Sequence, residues 1–184
     1  MKFCLKAILF DVDGTIIDWK PNSSFIKKMI THPTVFLNIL SDVQNMERKR
    51  GQYVVPDQSS QQREQNECFI IDRNQITTQI RSVIQRGFDD NLQMGIVSDN
   101  RSIEKLKKLQ LLSYFSVLIN CRESGSLKPS PEGLIRACTQ MGVSPNQVLY
   151  IGDRTRVDDR ACFEIGMQFL PMEYIHKLEW TTTM

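Results

Sequence analysis

The sequence has no apolar run long enough to cross a bilayer, because lysine or aspartate interrupts each hydrophobic stretch well before about 18 residues. It also lacks an excess of charge, since 23 basic and 21 acidic side chains leave a net charge of +2. Nucleic acid and membranes are therefore not expected as partners. Short basic clusters, such as the lysines at 105, 107 and 108, lack interleaved aromatic residues and are expected on solvated helix faces.

Cysteine pairs of the Cys-x-x-Cys type are also missing, and the five cysteines are scattered. Reduced thiols in a cytoplasmic protein are therefore expected rather than a disulfide framework. The apolar N-terminal segment carries Lys6 and ends at Asp11 without a small-residue cleavage site, so we interpret it as a core strand and not as a signal peptide. At 184 residues the chain is long enough to bury a core without covalent staples.

Short apolar runs alternate with helical patterns over most of the chain. Each run ends at polar residues, as buried parallel strands do before a loop. The runs cover residues 6–10, 94–97, 117–119, 148–151 and, more weakly, 167–170. Helical periodicity is found over 102–112 and 130–141. This alternation predicts an α/β fold, a three-layer Rossmann-like parallel sheet with helices on both faces.

Residues 18–71 break this alternation. Segments 22–30 and 34–48 have the pattern of amphipathic helices separated by Pro33, whereas 52–67 is polar, contains five glutamines and is expected to be a loop or a mobile, weakly helical piece. We predict a core formed by 1–17 and 72–184 and a small, mainly helical insertion at 18–71. The insertion is either a solvated surface element or a lid over an active site.

Two carboxylates follow the first predicted strand in the string Asp-Val-Asp-Gly-Thr at 11–15. Asp11 and Asp13 are two residues apart in an extended segment, so they face the same side at the carboxyl end of a strand, where open α/β sheets bind ligands. Gly14 allows the chain to turn away sharply. Two clustered acids favour a divalent cation that prefers oxygen ligands, Mg²⁺ first. The alternative is a plain Asp-Gly turn.

Polar residues follow two further elements of the predicted core. Ser98, Asp99 and Asn100 come directly after an apolar run, where a hydroxyl and free backbone amides suit a phosphate, although Ser98 or Asn100 as a helix cap is an alternative. Lys128 precedes a proline and a helix start, which places a cation near that helix; the alternative is a surface lysine.

A last pair of acids, Asp153 and Asp158, comes after the run at 148–151. They are able to share one cation directly or through intermediate hydrogen bonds. For Asp158 and Asp159 the alternative is favourable placement in the first turn of a helix.

These four motifs, in this order, resemble those of the haloacid dehalogenase superfamily of phosphohydrolases. The string at 11–15 is similar to the first motif, Ser98 to the second, Lys128 in Leu-Lys-Pro-Ser-Pro to the third, and Gly-Asp-Arg-Thr-Arg-Val-Asp at 152–158 to the fourth. The resemblance covers residues 6–19 and about 93–170, and the insertion is placed like the helical cap of one branch of the family. An acid at position 13 favours phosphate chemistry, because the dehalogenating branch lacks it.

The resemblance implies a Mg²⁺-dependent phosphatase that acts on a small phosphorylated metabolite. Asp11 is then the nucleophile that forms an aspartyl-phosphate, and Asp13 is the general acid and later the base. The implied phosphate contacts are Gly14, Thr15, Ser98, Asp99, Asn100 and Lys128; the implied Mg²⁺ ligands are Asp11, Asp13 through its backbone carbonyl, Asp153 and, assisting, Asp158. A phosphomutase, or a catalytically silent phosphate-binding or protein-interaction module, remains an alternative. The oligomeric state is open, with a monomer favoured.

Overall fold

The computed structural model describes residues 5–50, 52–54 and 59–180. In these ranges the strands are β1 (Ala7–Phe10), β2 (Gln93–Ser98), β3 (Val117–Asn120), β4 (Val148–Gly152) and β5 (Gln168–Pro171). They form one parallel sheet in the order β3-β2-β1-β4-β5. The predicted Rossmann-like parallel sheet is therefore confirmed, and β1 lies at its centre.

Helices cover both faces of the sheet. The described helices are α1 (Ser23–Thr31), α2 (Pro33–Arg48), α3 (Ser59–Ile70), α4 (Thr78–Asp89), α5 (Ile103–Lys108), α6 (Glu132–Met141) and α7 (Thr155–Phe163). Short 3₁₀ turns are found at Arg73–Gln75, Leu112–Tyr114, Pro145–Gln147 and Met172–Lys177. Helix α5 ends earlier than the pattern over 102–112 predicts, because Gln110 takes a left-handed φ of 59°.

Alternating side chains of each strand point to opposite faces, which creates two apolar cores. On β1, Ile8 and Phe10 belong to the core that contains α4 and α5 residues, whereas Ala7 and Leu9 belong to the core that contains α6 and α7 residues. All four are 0% exposed. Because both faces are covered, polar side chains that reach the sheet are concentrated at the strand ends.

Helices α1, α2 and α3 form the insertion between β1 and α4, and α2 packs on both α1 and α3. Helix α1 begins where the Asn22 side chain accepts a hydrogen bond from the Phe25 amide (2.8 Å), as a helix cap does. The polar segment 52–67 is predicted to be a loop or a mobile, weakly helical piece. Its second half instead belongs to the regular helix α3, which covers residues 59–70. The reason is an inward face built from charged side chains, described below.

None of the described helices combines the length and the apolar character needed to span a membrane. Cys68, Cys121, Cys138 and Cys162 are free thiols, as expected; Cys4 lies outside the described residues.

Candidate active site

The loop after β1 carries the two acids of the first motif at the carboxyl edge of the sheet. Asp11 is 2% exposed, and its backbone N–H donates to the Ile151 carbonyl of β4 (2.9 Å). Gly14 has a φ of 84°, and a Cβ at this position would overlap the Asp153 carboxylate. Glycine therefore permits both the turn and the approach of Asp153 to the loop.

Lys128 is the cation on the Asp11 side of the loop. Its Nζ lies 2.7 Å from Asp158 Oδ1 and 3.2 Å from Asp11 Oδ1, and it donates to the Tyr150 hydroxyl (2.7 Å). The Tyr150 hydroxyl in turn donates to the Val97 carbonyl (2.9 Å). Burial opposes the charged amine, but the two carboxylates outweigh it and raise the pKa of Lys128 above its ordinary value. Lys128 is 0% exposed, so it is not a surface lysine.

Three carboxylates converge beside Lys128. Oxygen atoms of Asp11, Asp153 and Asp158 all lie within 4.8 Å of one another. Burial raises the pKa of Asp11 to about 6, with a further increase from Asp158. Oδ1 of Asp11 and Oδ1 of Asp158 are buried, and each has the shared Lys128 ammonium as its ionic partner but accepts no aligned hydrogen bond. An all-oxygen donor set with unsatisfied charge fits Mg²⁺.

Asp13 is not part of this trio and contacts a second buried lysine. Lys105 Nζ donates to both Asp13 oxygens (2.8 and 3.0 Å) and to Glu67 Oε2 (2.7 Å). Burial acts to raise the pKa of Asp13, but Lys105 and Arg63 outweigh it, so that pKa lies below its ordinary value. The prediction of a solvated Lys105 is wrong, since the residue is 0% exposed. It shares the inward face of α5 with Leu109, one turn further on.

A chain of ion pairs continues from Lys105 into the insertion. Glu67 Oε1 accepts from Arg63 Nε (2.7 Å), and Arg63 Nη1 donates to Asp42 Oδ2 (3.0 Å). Arg122 holds the same Asp42 carboxylate with two hydrogen bonds of 2.8 Å. These pairs give α3 a buried face of opposite charges instead of an apolar stripe, which explains why its sequence lacks amphipathic periodicity.

Asp99 ties the insertion to the core. Its Oδ2 accepts from Arg50 (2.9 Å) and from Arg154 (2.8 Å), and its Oδ1 accepts from the Lys128 backbone N–H (3.0 Å). Burial acts to raise its pKa, but the surrounding Lys128, Arg154 and Arg50 charges lower it to about 2. The Asp99 side chain is thus an ionised anchor between the core and the insertion, and its contact with a phosphate stays a prediction.

The other predicted phosphate contacts lie at the same edge. Ser98, Thr15 and Asn100 are 1%, 1% and 4% exposed, and Asn100 Nδ2 donates to Asp13 (3.4 Å). Thr15 Oγ1 and Asn100 Oδ1 are buried without a hydrogen-bond partner. Helix α5 has Ser102 at its N-cap, so Ser98 and Asn100 do not cap it. Ser98 and Asn100 line the cavity between this edge and the insertion, whereas Thr15 does not.

A cavity of about 450 Å³ lies between this polar edge and the insertion. From the core it is lined by Asp11, Asp13, Gly14, Ser98, Asp99, Asn100, Asp153 and Arg154. From residues 18–71 it is lined by the apolar Trp19, Phe25, Met29, Phe36, Ile39, Leu40, Val43, Met46 and Ile70 and by the charged Glu47, Arg63 and Glu67. The insertion therefore forms one wall of the cavity that contains the acid loop.

Sequence reasoning missed several residues of this site. Lys105 was recognisable by its spacing of four residues from Leu109, which places both on one helix face. Arg63 and Glu67 have the same spacing, which is typical of a helical ion pair. Tyr150 and Arg50 gave no signal, because a tyrosine in an apolar strand and an arginine in a basic cluster are ordinary.

Comparison with known proteins agrees with this geometry. The sequence matches the family of haloacid dehalogenase-like hydrolases over residues 8–172. It is 30% identical to N-acetylmuramic acid 6-phosphate phosphatase of Pseudomonas aeruginosa, with 83% of this chain and 75% of that protein covered. It is 32% identical to glyceraldehyde 3-phosphate phosphatase of Methanopyrus kandleri over 40% of this chain, and the match spans only a third (33%) of that protein.

Among solved structures, the fold is similar to a HAD phosphatase from Thermococcus onnurineus, with a TM-score of 0.67, 22% identity, and 91% and 86% of the two chains covered. The matched residues include the acid loop, both buried lysines and the acid trio, so the family match covers the whole candidate site. The chain therefore belongs to the haloacid dehalogenase-like hydrolases.

Proposed function

We propose that this protein is a Mg²⁺-dependent phosphatase that hydrolyses a small phosphomonoester through an aspartyl-phosphate on Asp11. One observation carries the proposal: the buried Asp11 carboxylate faces a 450 Å³ cavity beside Lys128 at 3.2 Å and two further carboxylates within 4.8 Å. Phosphoryl transfer depends on positioning and on neutralisation of charge, and this edge supplies both. The phosphatase names of the relatives support the same reaction class.

We assign the chemistry of the side chains as the family resemblance implies. Asp11 attacks phosphorus, and the alcohol leaves with a proton from Asp13. Asp13 then takes a proton from water, the water oxygen attacks the aspartyl-phosphate, and inorganic phosphate departs. Lys105 holds Asp13 ionised in the free protein, and the negative charge of an incoming phosphate raises the proton affinity of Asp13 for the first step.

Two further groups complete the proposed site. Lys128, Ser98 and the backbone amides after β1 and β2 hold the phosphoryl oxygens. Mg²⁺, held by Asp11, Asp153 and the backbone carbonyl of Asp13 with help from Asp158, supplies charge neutralisation at the phosphoryl group. We also propose that residues 18–71 act as a cap that selects the alcohol portion of the substrate, because they form the opposite wall of the cavity.

The test is phosphate release from acetyl phosphate, with and without Mg²⁺, by wild type, Asp11→Asn and the matched control Asp159→Asn. We expect metal-dependent release that falls by at least about 10³-fold in Asp11→Asn. Asp159 is exposed on α7 outside the cavity, so its variant should match wild type. Equal rates for the two variants would contradict the assignment of Asp11. Release of inorganic phosphate from a sugar phosphate, rather than its isomer, separates a phosphatase from a mutase.

A further inference from the structure

The cavity has two chemically different zones. The sheet edge supplies carboxylates, the Ser98 hydroxyl, the Asn100 amide and Arg154 at one end, whereas nine of the twelve lining residues from the insertion are apolar. Phe25 and Phe36 meet edge to face with ring centroids 5.1 Å apart, and Trp19 follows the acid loop along the chain. The phosphate end is thus polar, and the space beyond it is bounded by aromatic and aliphatic surface.

The described charged residues of the insertion wall are bound by neighbouring protein groups. Glu47 accepts two hydrogen bonds from Arg50 (2.7 and 2.8 Å). Arg63 and Glu67 bind each other (2.7 Å), and each has a second ionic partner, Asp42 and Lys105 respectively. These side chains are therefore poorly placed to exchange hydrogen bonds with hydroxyls of a substrate.

Some apolar wall residues face solvent at the mouth of the cavity. Met29 is 43% exposed and Leu40 is 57% exposed, although both line it. Removing such surface from water favours binding of an apolar group, whereas a polyhydroxylated group gives up its own hydration there without new partners. The volume of 450 Å³ lies in the range typical of small-molecule sites, roughly 300–1,000 Å³.

We infer that the substrate is the phosphate monoester of an apolar alcohol, aliphatic or aromatic, and not a sugar phosphate. This inference rests on the proposed phosphatase function and deepens it. The phosphate binds at the polar end of the cavity, beside Asp11, Ser98 and Asn100, and the hydrocarbon portion occupies the space lined by α1 and α2. Hydrolysis breaks the bond between phosphorus and the alcohol oxygen, water supplies the new oxygen on phosphate, and the alcohol leaves with a proton.

The test compares two esters that have six-membered rings and primary alcohol leaving groups, cyclohexylmethyl phosphate and glucose 6-phosphate. We expect kcat/KM to be larger for the cyclohexylmethyl ester by roughly 10²-fold. In a series of linear alkyl phosphates, kcat/KM should rise about fourfold per added methylene until the cavity is filled.

A matched pair of variants on α2 locates the effect. Leu40→Asn changes the cavity wall, whereas Leu37 is similarly exposed (62%) on the same helix but does not line the cavity. Leu40→Asn should reduce the preference for the cyclohexylmethyl ester about tenfold, mainly through KM, while Leu37→Asn keeps the wild-type preference. Because both residues are largely exposed, neither change threatens the fold.

Acetyl phosphate separates this inference from the function on which it rests, because its acetyl group is too small to probe the apolar wall. If Asp11-dependent release from acetyl phosphate persists but glucose 6-phosphate is hydrolysed as well as or better than the cyclohexylmethyl ester, the inference is overturned and the phosphatase stands. The same holds if acetyl phosphate is hydrolysed and neither ring ester is. Absence of Asp11-dependent release from acetyl phosphate overturns both.

Discussion

Asp11 and Asp13 are two residues apart, and each carboxylate contacts one fully buried lysine, yet their pKa values shift in opposite directions. The pKa of Asp11 is raised to about 6, mainly by burial, while that of Asp13 is lowered because Lys105 and Arg63 outweigh burial. The two lysines are equally buried, at 0% exposure. The difference must therefore come from what else surrounds each pair.

The Asp11 side has an excess of negative charge. Lys128 is shared by Asp11 and Asp158, and Asp153 lies beside them. The nearby Arg154 guanidinium is hydrogen-bonded to Asp99. Three carboxylates and one shared lysine leave a net negative site, and this is the arrangement in which a divalent cation binds favourably.

On the Asp13 side, the positive and negative charges are balanced. Lys105 is shared by Asp13 and Glu67, and Glu67 has Arg63 as its second partner. Two carboxylates face two cations, so no metal is required there. One half of the acid loop therefore carries an excess of negative charge, whereas the charge of the other half is neutralised by Lys105, which Glu67 of helix α3 also binds.

The largest effect is expected from Lys128→Met. The change leaves Asp158 buried without its cation, and unpairing a buried ion typically lowers the free energy of unfolding by about 3–5 kcal/mol. Urea unfolding followed by circular dichroism measures it, with Lys107→Met on the exposed face of α5 as control. The control should stay within about 0.5 kcal/mol of wild type. Equal stability of the two variants would mean that the Lys128 ion pair is not buried in solution.

In the absence of metal, removing the Asp11 carboxylate and removing the Asp13 carboxylate should change the free energy of unfolding in opposite directions. The pKa of Asp11 is about 6 in the folded protein against 3.8 as the ordinary value, so the folded state binds this proton more tightly and loses stability as the pH rises from about 4 to about 6. Asp11→Asn removes that loss and should raise the free energy of unfolding by about 3 kcal/mol at pH 7. The gain should vanish near pH 4.

For Asp13 the sign reverses, because its folded-state pKa is lowered. The Asp13 carboxylate stabilises the fold above its ordinary pKa, and that stabilisation is lost as the pH falls. Asp13→Asn should therefore destabilise the metal-free protein at pH 7. Urea unfolding in EDTA at several pH values measures both variants. Destabilisation by both changes at pH 7 would remove the contrast between the two halves.

Much of the fold, and the residues on the Asp11 side of the site, could be predicted from sequence. The strands appear as apolar runs because a sheet covered on both faces requires hydrophobic side chains at successive positions. Asp11, Ser98 and Asp153 stand out because they follow such runs, and parallel topology brings those ends to one edge. Lys128 stands out because it precedes a proline and the start of a helix. The local hydrophobic pattern and the parallel topology thus predict the same location for the site.

The Asp13 side was harder to predict for a physical reason. Helix α3 buries a face made of Arg63 and Glu67, so its sequence has no apolar stripe and has the composition of a surface loop. Lys105 belongs to a basic cluster whose other members, Lys107 and Lys108, are exposed. The ion pair between Lys105 and Glu67 joins residues 38 positions apart, and local periodicity contains no information about such a partner.

Mg²⁺ should stabilise the folded protein through the acid trio alone. At a concentration a hundred times its dissociation constant, a ligand that binds only the folded state adds about 2.7 kcal/mol to the free energy of unfolding. A rise in Tm with Mg²⁺ measures this, and Asp153→Asn should abolish the rise because it removes one of the three carboxylates. Glu67→Gln should retain it, since Glu67 lies on the balanced side. A rise in Tm that depends on Glu67 and not on Asp153 would place the cation on the Asp13 side and contradict this prediction.

The smallest effect concerns the ion pair between Lys105 and Glu67, through which the insertion contacts Asp13. In a double-mutant cycle, Lys105→Met and Glu67→Leu should show a coupling energy of about 1–2 kcal/mol, because each single change leaves a buried charge that the double change removes. Urea unfolding of the four proteins measures it, and Lys107→Met with Glu104→Leu is the exposed control pair (2.7 Å). The control pair should couple by no more than about 0.5 kcal/mol, as surface ion pairs on helices do. Coupling at Lys105 that is as weak as in the control would show that α3 does not stay docked on Asp13 in solution, and the balance of charge on that side would then have to be restored by substrate or by solvent.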